Sequence, residues 1–300
     1  MRYRPFGRTG LRVSEFVLGT TAIRNKDEYR RILDIFADAG GNFVDTAWAQ
    51  DSSEEMLGEV VRKRDRLVLG TRHTLTPDPA DAGTAGGHRK SLILSLERSL
   101  RRLRTDYVDV FWVDVADRGT PIEETLQALD DVVGCGKVLH TGIIDAPAWT
   151  VAQANTLAEC QGWTPFSGVQ VPYNLLRRDI ERETLPMAES FGVSVTVASP
   201  LEHGVLAGAA DAPDRGPRGQ AAAAAVAEVA GDLGVPPAQV ALAWTRHRSP
   251  SVLPIVGVDS ADQLVANLGA WQVELPSDAV ARLEAAVSSG GEVPAEPTAR

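Results

Sequence analysis

Residues 107–144, YVDVFWVDVADRGTPIEETLQALDDVVGCGKVLHTGII, carry the reading that decides the fold. Two apolar, β-branched runs, Tyr107–Asp114 and Val138–Ile144, flank a helical pattern near 122–135, which is the signature of a strand–helix–strand unit with parallel strands. The same alternation extends outward in both directions. Upstream strands are predicted at Phe16–Gly19, Asn42–Asp45 and Leu67–Arg72, and downstream ones at Gly168–Val171, Val193–Ala198 and Val252–Val256. Helices are predicted near 27–39, 53–63, 88–103, 148–158, 180–191, 220–247 (broken before Pro236) and 261–268. Eight units with no GxGxxG turn after the first strand favour closure over an open doubly wound sheet, so the expected fold class is α/β, a (β/α)8 TIM barrel. The first thirteen residues break the rhythm, and Gly7-Arg8-Thr9-Gly10 predicts an N-terminal β-hairpin that plugs the barrel bottom. Long connections at 73–87 and 201–219, after strands three and seven, leave the ends where barrel active sites form and are candidate lids. The expected organisation is one barrel over residues 1–300, with a disordered tail from Ser288.

Composition narrows the class of function. With 44% hydrophobic and 23% charged residues, the 300-residue chain can build a sizeable core. Its net charge of −10 excludes the concentrated basic surface that nucleic acid or an anionic membrane requires, so the expected partner is a small-molecule substrate. Cys135 and Cys160 show no ligand spacing and are read as core thiols in a reducing cytoplasm. No apolar run nears the roughly 18 residues of a membrane span. A cytoplasmic protein is expected, with monomer and homo-oligomer both left open.

Several separated patterns recur along the chain. Phe6-Gly7-Arg8-Thr9-Gly10-Leu11 is followed by Leu18-Gly19-Thr20, then by Gly41-Asn42-Phe43-Val44-Asp45-Thr46-Ala47. Val169-Gln170 precedes Tyr173-Asn174-Leu175-Leu176, and Ser199-Pro200-Leu201 precedes Gly204 and Leu206. Pro254-Ile255-Val256-Gly257 leads to Gln263-Leu264 and Asn267-Leu268-Gly269. In order and spacing the chain resembles the aldo-keto reductases over nearly its whole length.

That resemblance implies carbonyl reduction by NADPH or NADH, with a tyrosine proton donor tuned by a lysine, an aspartate and a histidine. Asp45 matches the aspartate, but Gln50 stands at the tyrosine position, Arg72 at the lysine and Asp114 at the histidine. Of the four tyrosines, Tyr173 alone falls at the catalytic end. The resemblance also implies cofactor contacts at Gly19, Thr20, Gln170, Ser199, Leu201, Gly257, Gln263 and Asn267. Against them, Ile144-Asp145 replaces the pair that holds the nicotinamide carboxamide, and Ala198 replaces the aromatic that stacks on the ring. Asp259 replaces the basic partner of the 2′-phosphate and would repel phosphate. The expectation is therefore that no cofactor is required and that NAD(P) binds weakly.

The residues themselves suggest acid–base chemistry. Strand alternation puts Trp112 beneath an inward-facing Asp114, where an indole would strip water from the carboxyl. Arg72 cannot relay protons, but its planar fork can bind a carboxylate or oxyanion, and Gly70 below it leaves room for the guanidinium. Asp45, Gln50, Arg72 and Asp114 form the expected catalytic set, with Trp48, His73, Trp112 and Tyr173 lining the substrate pocket. Asp45, Asp114, Asp145 and His73 could collect a metal, but Arg72 in their midst would repel it, and none is expected. The leading expectation is a redox-neutral acid–base enzyme (elimination, cyclisation or isomerisation) on a small, anionic or enolisable substrate. The alternatives are an NAD(P)H-dependent carbonyl reductase with a reassigned proton donor and a catalytically silent binding protein.

Overall fold

The computed structural model describes residues 1–47, 53–73, 86–114 and 119–288. Strands β1 (Tyr3–Pro5) and β2 (Arg12–Ser14) pair antiparallel as the expected hairpin. The next eight strands form a closed parallel barrel: β3 (Val17–Gly19), β4 (Phe43–Asp45), β5 (Val68–Arg72), β6 (Val108–Asp114), β7 (Val138–Ile144), β8 (Phe166–Pro172), β9 (Ser194–Ala198) and β10 (Val252–Gly257). β10 closes it by pairing with both β9 and β3, so no strand edge is left open.

Helices α1 (Lys26–Asp38), α2 (Ser53–Val60), α3 (Arg89–Leu103), α4 (Ile122–Gly134), α5 (Ala148–Gln161) and α6 (Thr184–Phe191) alternate with the strands. Their ends follow local chemistry. The Asn25 side chain accepts the Asp27 and Glu28 N–H groups at the start of α1, and Gly162 and Gly192 take left-handed conformations just past α5 and α6. The predicted helix at 220–247 is two helices, α7 (Gly216–Leu233) and α8 (Pro237–His247), with Gly234 left-handed at φ 66° and Pro236 capping the second. α7 begins four residues earlier than expected, which shortens the connection after β9. After α9 (Ala261–Leu268) comes a helix that the sequence reading lacked, α10 (Ser277–Ser288), which packs on α7. Ser288 is thus helical, and the rest of the expected tail lies outside the described residues.

Two apolar layers result. Residues of one strand parity, such as Val169 and Val171, meet the helices, whereas Val17, Phe43, Val110, Trp112 and Leu253 fill the barrel interior. Phe6, at the hairpin tip, is fully buried and stands edge-on to Phe43 and Trp112, with ring centroids 5.7 and 6.0 Å away. The hairpin plugs the barrel as predicted. The Trp112 indole lies across Gly142 and Gly168, where an added Cβ would come within 2.2 and 2.9 Å of it. Both cysteines are exposed, which corrects their reading as core thiols. Among the described residues no helix is long and apolar enough to cross a membrane.

Candidate active site

The C-terminal ends of β4, β5, β6 and β8 bring four polar side chains together inside the barrel mouth. Asp45, which ends β4, is 3% exposed. Its Oδ1 accepts the Trp112 indole N–H at 2.9 Å, and its Oδ2 accepts from Arg72 Nη2 at 3.2 Å and Gln170 Nε2 at 3.3 Å. Arg72 Nη2 also donates to Gln170 Oε1 at 3.0 Å. Gln170 therefore clamps both members of the ion pair, giving its N–H to the anion and its carbonyl to the cation. Its assignment as a carboxamide ligand omitted this use, which depends on register across strands far apart in sequence. Burial pushes the Asp45 carboxyl up from the ordinary range, against the pull of the Arg72 charge and the three donors.

Gly70 serves a purpose other than the one expected. A Cβ there would meet Asp45 Oδ1 at 2.7 Å and Trp112 Nε1 at 3.1 Å, so the glycine makes room for the carboxylate–indole contact rather than for the guanidinium. Asp114 closes β6 on the same face as Trp112 and is half-buried. Asp145 follows β7 in a left-handed conformation, φ 50°, and its N–H continues the ladder to the Gln170 carbonyl. Its side chain reaches solvent, yet desolvation and then the Asp114 charge push its carboxyl up, while Arg72 and Arg177 pull it down.

Three expected pocket residues lie elsewhere. Trp112 is fully buried below the mouth, so it holds Asp45 instead of touching a substrate. Tyr173 has the parity of Val169 and Val171 and points outward, where it is fully buried against Trp244 and donates its hydroxyl to Glu181 at 2.7 Å. His73 has the parity of Thr71; it turns toward α3 and shares a hydrogen bond with the Ser91 hydroxyl at 3.3 Å. Burial lowers its pKa to about 4 although Asp114 opposes the shift. Trp48 and Gln50 lie outside the described residues, as does most of the connection after β5.

The residues assigned to a cofactor ring the same end. The Thr20 hydroxyl donates to the Asp45 carbonyl and meets the Ser53 hydroxyl, so it ties β3 to β4. Beyond β9 the backbone is left-handed at Ser199, Glu202, His203 and Gly204. Glu202, which the sequence reading missed, anchors that turn: it is 3% exposed, accepts from Asn174 Nδ2 at 2.6 Å and pairs with Arg215 at 2.9 Å. Leu201 is half-buried beside it. Gly257 faces open space, with nothing within 4 Å of an added Cβ. At the start of α9 the Gln263 carbonyl accepts the Asp259 N–H, and Asn267 is buried a turn further on. Glu28 accepts the Ala261 N–H there, and Arg31 pairs with both Glu28 at 3.7 Å and Asp262 at 3.5 Å. Among the described residues no three His, Cys, Asp or Glu side chains converge to hold a metal.

An eight-stranded parallel barrel with a buried carboxylate–cation pair at its C-terminal mouth has the architecture of a barrel enzyme. The model of the aldo/keto reductase family matches residues 15–288, and the chain belongs to that family. It is 38% identical to norsolorinic acid reductase stcV of Emericella nidulans, over 92% of this chain and 78% of that protein. It is 36% identical to aryl-alcohol dehydrogenase GME11368 of Pestalotiopsis microspora, over 91% of this chain and 79% of the relative. Aldo-keto reductase ausK of Aspergillus calidoustus is 35% identical, over 94% and 81% respectively. These relatives favour oxidoreductase chemistry over the redox-neutral reading, and they give no support to the expectation that no cofactor is required.

Proposed function

We propose that the protein is a nicotinamide-dependent oxidoreductase that interconverts an aromatic aldehyde or ketone and its alcohol. The observation that carries this reading is the Arg72 guanidinium, fixed by Asp45 and Gln170 at the barrel mouth, where it can stabilise the negative charge that develops on a carbonyl oxygen. The relatives named as a norsolorinic acid reductase and an aryl-alcohol dehydrogenase supply the substrate class. The rim suits a dinucleotide: Gly257 leaves open space, and left-handed residues at Ser199, Glu202, His203 and Gly204 turn the chain just beyond β9. Ser199, Leu201, Gly257, Gln263 and Asn267 would hold the cofactor, which when bound supplies or accepts the hydride. Asp114, at the end of the strand next to Arg72, hands the substrate oxygen its proton in reduction and takes it back in oxidation. Asp259, two residues past Gly257, would repel a 2′-phosphate and so favours the cofactor that lacks one.

One observation favours redox-neutral chemistry as a second reading. Gln170 gives one N–H to Asp45 and accepts from Arg72, and these two bonds compete with a nicotinamide ring for its amide. Fluorescence titration with NADH and NADPH separates the two. The oxidoreductase reading expects NADH to bind about 10-fold tighter than NADPH or better, with turnover of benzaldehyde. Binding of neither dinucleotide, with no turnover, would leave the redox-neutral reading.

A further inference from the structure

We infer that the barrel has a second ligand site at its closed end, a cavity between the hairpin and the starts of β9 and β10 that takes a phosphate group, free or carried by a small organic molecule. It lies at the opposite end from the candidate active site and does not depend on the reading given to that site.

The cavity measures about 260 Å³ and is lined by Arg4, Pro5 and Gly7 of the hairpin, Ser194 of β9, and Ser251 and Leu253 around the start of β10. The segments that form it, residues 1–16, 192–198 and 248–257, are all described. One water needs roughly 10–15 Å³, so this space admits a polyatomic anion with a short carbon chain.

The polar part of the wall holds unused donors. A guanidinium carries five N–H hydrogens. In Arg4 a single hydrogen bond uses one of them, from Nη1 to the Pro250 carbonyl at 2.8 Å. Nη2 stands 3.9 Å from Glu15 Oε2, beyond hydrogen-bond length, and Nε is shielded from solvent and has no partner. The Ser194 hydroxyl accepts the Gly7 N–H at 2.8 Å and keeps its own proton to donate. The Ser251 amide is tied to Ser249 Oγ at 3.2 Å, while its hydroxyl has no partner among the described residues. Three chain segments thus bring spare donors to one cavity.

Charge favours a dianion there. The buried Glu15 carboxylate is shared by Arg246 at 3.3 Å and by Arg2 and Arg4 at 3.9 Å, so three cations face one anion. Burial lowers the Arg4 pKa, and the Arg246 and Arg2 charges lower it further against the pull of Glu15. Beside the cavity Arg8, whose stem covers Gly192, pairs with Glu159 at 3.7 Å. The exposed Glu189 accepts from Ser249 Oγ at 3.1 Å, where water and salt screen its charge. In a chain of net charge −10 this is a local excess of positive charge. A phosphate monoester, with a charge of about −1.5 to −2 near pH 7, offsets it better than a monocarboxylate does.

The test is calorimetric titration of the full chain with inorganic phosphate, glycerol 3-phosphate and acetate at pH 7.5 and constant ionic strength. A phosphate dissociation constant of about 1 mM or below is expected, with acetate at least about 10-fold weaker. Glycerol 3-phosphate binding tighter than inorganic phosphate assigns the site to a phosphate ester, and equal binding assigns it to the free anion. Arg4→Gln removes the guanidinium, and Ser251→Asp sets a negative charge in the cavity with all the arginines kept; each is expected to weaken phosphate at least about 10-fold. In the wild-type protein, phosphate should shift the NMR signals of the Gly7, Ser194 and Ser251 amides, which decides the matter if neither variant folds. Absence of phosphate binding, acetate binding as tightly as phosphate, wild-type affinity in either folded variant, or shifts confined to the barrel mouth would overturn the inference.

Discussion

At Asp45 three donors and one positive charge hold a carboxylate that burial would otherwise neutralise. Arg72→Ala removes the charge and leaves the carboxyl buried among neutral donors. A cost of about 2 kcal/mol in urea unfolding is expected, below the roughly 3–5 kcal/mol of a fully buried pair because Arg72 is 31% exposed. His73 gives the protein a pH dependence. Its folded pKa of about 4 lies below its ordinary 6.5, so between these values the unfolded chain binds a proton that the folded chain refuses. Its share of stability is complete above pH 6.5 and falls by up to about 3 kcal/mol as the pH drops through that window. Asp45 runs in the opposite sense: with its folded pKa raised, its share is present in acid and lost as pH rises through that pKa. Unfolding midpoints between pH 4 and 6.5 should therefore flatten in His73→Gln, and an unchanged slope would assign the dependence to another group. Sequence identified Asp45, Arg72 and Asp114 as the polar mouth, but it placed His73 and Tyr173 by their distance along a strand alone. Parity, the other half of a residue's position on a strand, turns both outward.

Among the elements, β6, β7 and β8 are locked together through the indole of Trp112. Gly142→Ala would put a methyl carbon 2.2 Å from that ring, with no way to yield except by moving the indole off Asp45. A loss of about 1–3 kcal/mol in stability, read by thermal unfolding, is the expected result; a neutral outcome would mean that the ring has room to shift. The strands themselves were legible because buried parallel strands read as short apolar runs between helices. α10 was missed although Val280, Leu283 and Val287 recur at helical spacing, because the recognised motifs end at Gly269. Nothing local distinguished Glu202 from a surface acid. Its burial arises from Asn174 and Arg215, which lie on different connections.

The whole molecule is a barrel stoppered at one end by its own N-terminus and polar at the other. Deleting residues 1–13 would remove Phe6 from beneath Trp112 and Phe43 and open the apolar interior to water. The truncated chain is expected to bind the dye ANS and to lose at least the roughly 3–5 kcal/mol of a buried phenylalanine. Wild-type stability in the truncated form would show that the hairpin is dispensable. One contact also makes the interior observable from the site itself. The Trp112 indole proton is sealed from solvent and lies on the carboxylate of Asp45, 2.9 Å away, so it can exchange with deuterium only when the barrel interior opens. Its exchange rate measures how often the functional end of the barrel breathes. That rate should match the slowest backbone amides of β6, making one tryptophan resonance a gauge of opening at the place where the chemistry is proposed to occur.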